Sequence, residues 1–143
     1  MLEANLVDRF IRSVRRASPI GLSKLAYEFD YSSGRVDVLG VTPTDELVSF
    51  EAKVIRWAVA LHQAYRSLVF SHYALVVLPA RHSRPALAQR NEFERFGVGL
   101  CVVENQRSWV EIEPARSLPI MPWLTAAARD YVFESRTWPL INS

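Results

Sequence analysis

The sequence predicts an α/β fold, a central mixed sheet flanked by helices. Apolar residues recur at helical spacing in some segments and alternate one by one in others. The run YALVVL at 73–78 is continuously apolar and bounded by Pro79, as expected of a central strand covered on both faces. Taken together, the segments run helix, three strands, helix, strand, helix, two strands.

The elements follow in order. Within 2–16, Leu2, Leu6, Val7, Phe10, Ile11 and Val14 form one helical stripe, with Asp8, Arg9, Arg12 and Arg15 largely outside it. Ser18-Pro19 and Gly21 end that helix. A first strand is expected at about 24–31 and a tight turn at Ser32-Ser33-Gly34. The second strand, 35–41, places Arg35, Asp37 and Leu39 on one side and Val36 and Val38 on the other. After a turn at 42–45, the third strand spans 46–55. There Val48, Phe50, Ala52 and Val54 point one way, and Ser49, Glu51 and Lys53 the other. Helical spacing returns at 57–70, with Trp57, Leu61 and Leu68 on its buried stripe. Beyond the 73–78 strand, a polar helix is expected at about 85–96, then strands at 99–104 and 108–112. In the tail from Ser117, prolines 119, 122 and 139 frame a helix near 124–132, and Trp123, Tyr131, Phe133 and Trp138 gather there. The plain expectation is a helix packed on the sheet edge. The alternative is a homodimer or partner surface, since exposed aromatic patches mark interfaces.

Composition narrows the function classes. Half of the 143 residues are hydrophobic and 22% are charged, the balance of a soluble globular domain with its own core. No apolar run reaches the roughly 20 residues of a membrane span. Residues 1–16 lack the uninterrupted apolar core of a secretory signal. The single cysteine, Cys101, permits no internal disulfide, which points to a reducing, cytoplasmic setting. The net charge of +2 permits nucleic-acid binding without requiring it. Of 17 basic residues only Lys24 and Lys53 are lysine, and the rest are arginine, a side chain suited to phosphate.

The chemistry concentrates on the 35–55 hairpin. Glu51 and Lys53, two apart on a strand, leave the same face about 7 Å apart, and the hairpin brings Asp37 beside Glu51. Two converging carboxylates repel unless a cation lies between them. All-oxygen donors select Mg²⁺ or Mn²⁺ over zinc. Such an ion activates water and stabilises charge developing on phosphorus. A lysine beside it can position the water or take part in its deprotonation, which arginine, always protonated, cannot.

Arg35-Val-Asp37-Val followed by Ser49-Phe-Glu51-Ala-Lys53 resembles the PD-(D/E)xK nuclease superfamily, the restriction-endonuclease-like group that includes Holliday-junction resolvases and RecB-type enzymes. The αβββαβ core of that superfamily is matched by the expected elements from Leu2 to Leu78. The resemblance implies that Asp37 and Glu51 bind Mg²⁺ or Mn²⁺ with the main-chain carbonyl of Ala52, and that Lys53 serves the hydrolytic water. It further implies an acidic metal ligand early in the first helix, matched by Glu3, and a catalytic glutamine on the following helix, matched by Gln63. Val36 stands where the motif has proline, and Ser67 where the RecB-type pattern has tyrosine. On this basis 1–116 is read as the nuclease domain and 117–143 as a C-terminal aromatic and helical extension of the same domain. The expected function is metal-dependent hydrolysis of DNA phosphodiester bonds.

Two other readings stay open. The hairpin face can be an ordinary solvated surface on which Arg35 and Lys53 pair with the acids for well under ~1 kcal/mol. Alternatively, the fold can persist without the chemistry, as a nucleic-acid-binding or assembly subunit of a mobile-element or defence system. His62, His72 and His82 lack metal-ligand spacing, and Cys101 inside an apolar strand reads as a small hydrophobe. Gly97-x-Gly99 precedes a strand and is not a dinucleotide loop. Arg56, Arg66, Arg81, Arg84, Arg90 and Arg95 form either a phosphate-tracking face or ordinary solvated helix surface.

Overall fold

A computed structural model describes residues 2–135; Trp138 and Pro139 of the aromatic tail lie outside the described residues. The elements are α1 (Glu3–Arg16), β1 (Lys24–Tyr31), β2 (Gly34–Val41), β3 (Leu47–Ala52), α2 (Trp57–Ser67), β4 (Tyr73–Pro79), α3 (Arg84–Leu87), α4 (Arg90–Phe96), β5 (Gly99–Glu104), β6 (Arg107–Ile112) and α5 (Pro122–Glu134). The αβββαβ order is therefore present from α1 to β4. The six strands form one mixed sheet in sequential order, β1 to β6. β3–β4 and β4–β5 are parallel and the other neighbours antiparallel. A parallel pair needs a crossover, and α2 supplies the first and α3–α4 the second.

Side-chain parity explains the layers. Val38, Val48, Phe50, Ala52, Leu75 and Val77 face α1, whose Leu6, Phe10, Ile11 and Val14 cover them. The Phe10 and Phe50 rings meet at 4.9 Å. Ser13 Oγ lies 2.7 Å from Ser108 Oγ, joining α1 to β6. Ala74, Val76 and Leu78, of opposite parity, face Ala60, Leu61 and Ala64 of α2. β4 is thus buried on both faces, which is why its sequence shows no alternation. Beyond α2, Ala128 and Val132 of α5 join Ala26, Phe29, Leu39 and Phe70 in a third cluster. α5 therefore packs on β1 and β2, while Trp123 and Phe133 stay exposed. Cys101 is buried in the α1-side core, where desolvation pushes its thiol up to about 12, so it is an inert hydrophobe.

Two expected elements differ. The third strand ends at Ala52 rather than Ile55. The β2–β3 ladder stops at Val38↔Phe50, and beyond it the Ala52 N–H donates to the Asp37 carboxylate at 2.8 Å. A side chain has replaced the strand partner there. The helix expected at 85–96 is two helices, because the turn at Gln89 tightens: its N–H donates to Ala86 three residues back. Gly97, at φ 72°, ends α4 in the left-handed conformation, with the Val98 N–H returning to the Phe93 carbonyl. Gly99 has no room for a side chain, since a Cβ there would lie 2.7 Å from the Ile112 carbonyl. This glycine pair serves a helix end and a close strand contact.

Candidate active site

The site forms where the β2–β3 ladder opens. One further step along the β2–β3 register, past Val38↔Phe50, sets Asp37 opposite Glu51. Ser49 and Glu51 share a parity, and the Ser49 hydroxyl meets Ser71, just beyond α2, so this side of β3 faces away from α1. Glu51 is only 2% exposed, and its Oε1 has no hydrogen-bond partner. Asp37 is half-buried and borders a cleft of about 280 Å³ between the start of α1 (Glu3, Val7, Asp8) and β1–β2 (Tyr27, Glu28, Arg35).

The pair is electrostatically strained. Burial, followed by the neighbouring Asp37 charge, pushes Glu51 up to about 9; Lys53 and Arg66 oppose this without cancelling it. Asp37 is raised as well, first by desolvation and then by the Glu3 charge, while the Ala52 N–H and Lys53 pull it down. Two acids are thus held together, with one buried oxygen unsatisfied, an arrangement that a cation would relieve.

The flanking backbone supplies another oxygen. The Lys53 N–H donates to the Val77 carbonyl of β4 at 3.2 Å. Across a trans peptide the carbonyl points opposite to the N–H, so the Ala52 carbonyl points away from β4, towards β2 and Asp37. Among the described residues no three His, Cys, Asp or Glu side chains group as a metal-binding set. The oxygens that could face a cation here are two carboxylates and a carbonyl. That suits Mg²⁺, which is commonly held by one or two carboxylates while keeping its waters.

The sequence-expected residues are placed as follows. Lys53 Nζ lies 3.3 Å from Glu3 Oε1, so the first helical residue and the lysine after β3 meet beside the acids. Arg35 is engaged elsewhere, 3.9 Å from both Glu28 and Asp30. The salt-bridged hairpin face, in which Arg35 and Lys53 would neutralise Asp37 and Glu51, is thus not the arrangement present. Gln63 is half-buried on α2, and its side chain makes no hydrogen bond among the described residues. The α2 residue whose charge reaches Glu51 is Arg66. Tyr31 escapes sequence reasoning: its hydroxyl and Arg66 Nη2 both approach the tip of the β1–β2 hairpin at Gly34, and Glu51 raises its pKa after burial does. Nothing in the alternation of β1 marks it. His72 is structural, its Nδ1 accepting the Leu47 N–H at 3.0 Å.

Neither a protein-family model nor a curated protein matches the sequence. Among solved structures, the chain is similar to SPO1766, a protein of unknown function from Silicibacter pomeroyi, with TM-score 0.65 and 18% identity, over 94% of this chain and 83% of that one. It is also similar to a repair endonuclease from Pyrococcus abyssi, with TM-score 0.53 and 20% identity, over 73% of this chain. It spans 48% of that enzyme's length. SfsA from Pyrococcus furiosus, in complex with Ca²⁺, aligns at TM-score 0.46 and 12% identity, over 78% of this chain and 64% of that one. At the identities of the first two, the likeness is one of fold alone; the fold of this chain is a mixed six-stranded α/β sheet flanked by helices. No helix among the described residues is long and apolar enough to cross a membrane.

Proposed function

We propose that this chain is a metal-dependent nuclease that hydrolyses DNA phosphodiester bonds at the Asp37–Glu51–Lys53 cluster. The observation that carries the reading is the buried, unpartnered Glu51 oxygen set against a second carboxylate. Without a cation the fold must instead keep a proton on Glu51 at neutral pH, at a cost to stability. Asp37, Glu51 and the Ala52 carbonyl would hold Mg²⁺ or Mn²⁺, with Glu3 at the margin of the same group. When bound, the ion supplies a Lewis acid that polarises a phosphate oxygen and makes water more acidic. Lys53 orients the water that attacks phosphorus in line with the leaving oxygen. Glu3 holds the Lys53 ammonium in place at 3.3 Å. Arg66, whose charge reaches Glu51, is a stronger α2 candidate than Gln63 for contact with substrate phosphate. A reducing, cytoplasmic setting fits the free, buried Cys101.

The competing reading, a silent nucleic-acid-binding or assembly subunit, draws on the closure of Glu51 from solvent and the engagement of Lys53 by Glu3. One assay separates the two. Purified protein is incubated with single-stranded, duplex and branched DNA in EDTA, Mg²⁺ or Mn²⁺. Cleavage of at least one substrate is expected with metal and none in EDTA. Intact DNA in every metal condition sinks the enzyme and leaves the binding subunit.

A further inference from the structure

A groove of about 680 Å³ lies on the other side of Arg66, between the C-terminal ends of α2 and α4 and the segment leading into α5. That segment is pinned in place. Ala115 N–H donates to the Gly97 carbonyl, Ser117 N–H to that of His72, and both Ile120 and Met121 N–H to that of Val69. The groove is therefore built by the backbone before any occupant arrives. Its volume is that of a small-molecule or cofactor site, about 300–1,000 Å³, and its lining is mostly apolar.

The groove combines two chemistries. Tyr65 and Phe96 lie 4.9 Å apart with rings tilted by 56°, and Tyr65 is 48% exposed, so one aromatic face is open to a planar partner. Arg66 and Arg95 lie on either side of these rings in sequence, and the Arg95 guanidinium sits 5.4 Å over Phe96. Arg116 also lines the groove, but Glu46 already holds it, with Nε to Oε2 at 2.5 Å. Among the described residues Glu94 is the one acid in the lining. Among the described residues neither Arg66 nor Arg95 forms a salt bridge, and two guanidinium groups against one carboxylate leave the groove positive, so an anionic occupant is complementary.

We infer that this groove binds an unpaired stretch of nucleic acid, with a base stacked on Tyr65 and phosphates on Arg66 and Arg95. An apolar peptide would satisfy the aromatic wall and leave both guanidinium groups without a partner. A duplex offers phosphates but keeps its base planes inside the stack. Of these three, the unpaired strand alone presents both to a concave, aromatic-lined surface. Arg66 belongs both to this lining and to the charges that act on Glu51, so the groove flanks the acidic pair. The choice of nucleic acid as occupant rests on the nuclease reading, and it adds that the strand is unpaired.

The test measures binding without cleavage. Fluorescein-labelled oligothymidylate and a duplex of equal length are titrated with protein in EDTA and followed by anisotropy. The oligothymidylate is expected to bind more tightly than the duplex. Tyr65→Ala weakens it about five- to one-hundred-fold, while Tyr65→Phe, which keeps the ring, binds like wild type. Arg95→Ala lowers the slope of log affinity against log salt by about 0.7, one phosphate contact. The inference is overturned if Tyr65→Ala and Arg95→Ala bind the oligonucleotide like wild type. It is also overturned if they change self-association in sedimentation instead, which would make the groove a protein interface. Mn²⁺-dependent cleavage, assayed separately, keeps the two proposals apart. Cleavage with undisturbed binding by Tyr65→Ala removes the groove alone. Loss of binding in Tyr65→Ala, with no cleavage by wild type, removes the nuclease alone.

Discussion

At pH 7 and without metal, Glu51→Gln is expected to be more stable than the wild-type protein by about 3 kcal/mol, a rise in Tm on the order of 10 °C. In the unfolded chain the Glu51 carboxyl ionises near its model value of 4.5, whereas in the fold it holds its proton to about 9. Between those limits the folded state binds more protons than the unfolded one. Stability present below pH 4.5 is therefore lost progressively as pH rises through neutrality towards 9. Asp37, also raised by burial, adds to the same trend. Glutamine keeps the shape and offers an N–H to Asp37 without taking up a proton on folding. Melts in EDTA at pH 5, 7 and 9 should show the advantage of Glu51→Gln widening with pH. If the variant is no more stable at any of them, the buried acid pair is not the strained element described.

The second large effect falls on catalysis. Lys53→Ala should lower single-turnover DNA cleavage in Mn²⁺ by about 10²–10⁴-fold, the range for loss of a group that handles a reacting proton. The fold should be nearly unaffected. The Glu3–Lys53 pair is partly solvated, with side chains 51% and 21% exposed, and such pairs contribute less than about 1 kcal/mol. Lys53→Arg should restore the charge and the Glu3 contact but not the rate, if the proton is what matters. Cleavage by Lys53→Ala at the wild-type rate would remove the lysine from the mechanism.

How far these features were readable from the residues differs from one to the next. β1 at 24–31 and β5 at 99–104 have their expected bounds, because polar turn residues or glycine break the apolar pattern at their ends. The approach of Asp37 to Glu51 followed from alternation on two strands joined by a short turn. The early end of β3 did not, because it depends on a carboxylate accepting the Ala52 N–H, and the alternation continues unbroken to Val54. The break at Gln89 is equally hidden, with neither glycine nor proline to announce it. On α2, the match to a glutamine motif drew attention to Gln63. The helix instead brings Arg66 towards the hairpin tip, where Tyr31 also arrives. The burial that keeps Glu51 protonated is a property of the packed sheet and α2, and no local pattern carries it.

The most direct measurement is an anomalous difference map from crystals grown or soaked in Mn²⁺. A peak is expected between the carboxylates of Asp37 and Glu51, on the side of the Ala52 carbonyl, and it should vanish in Glu51→Gln. Density absent there at millimolar Mn²⁺, or centred away from both acids, would contradict a metal-dependent site on this hairpin.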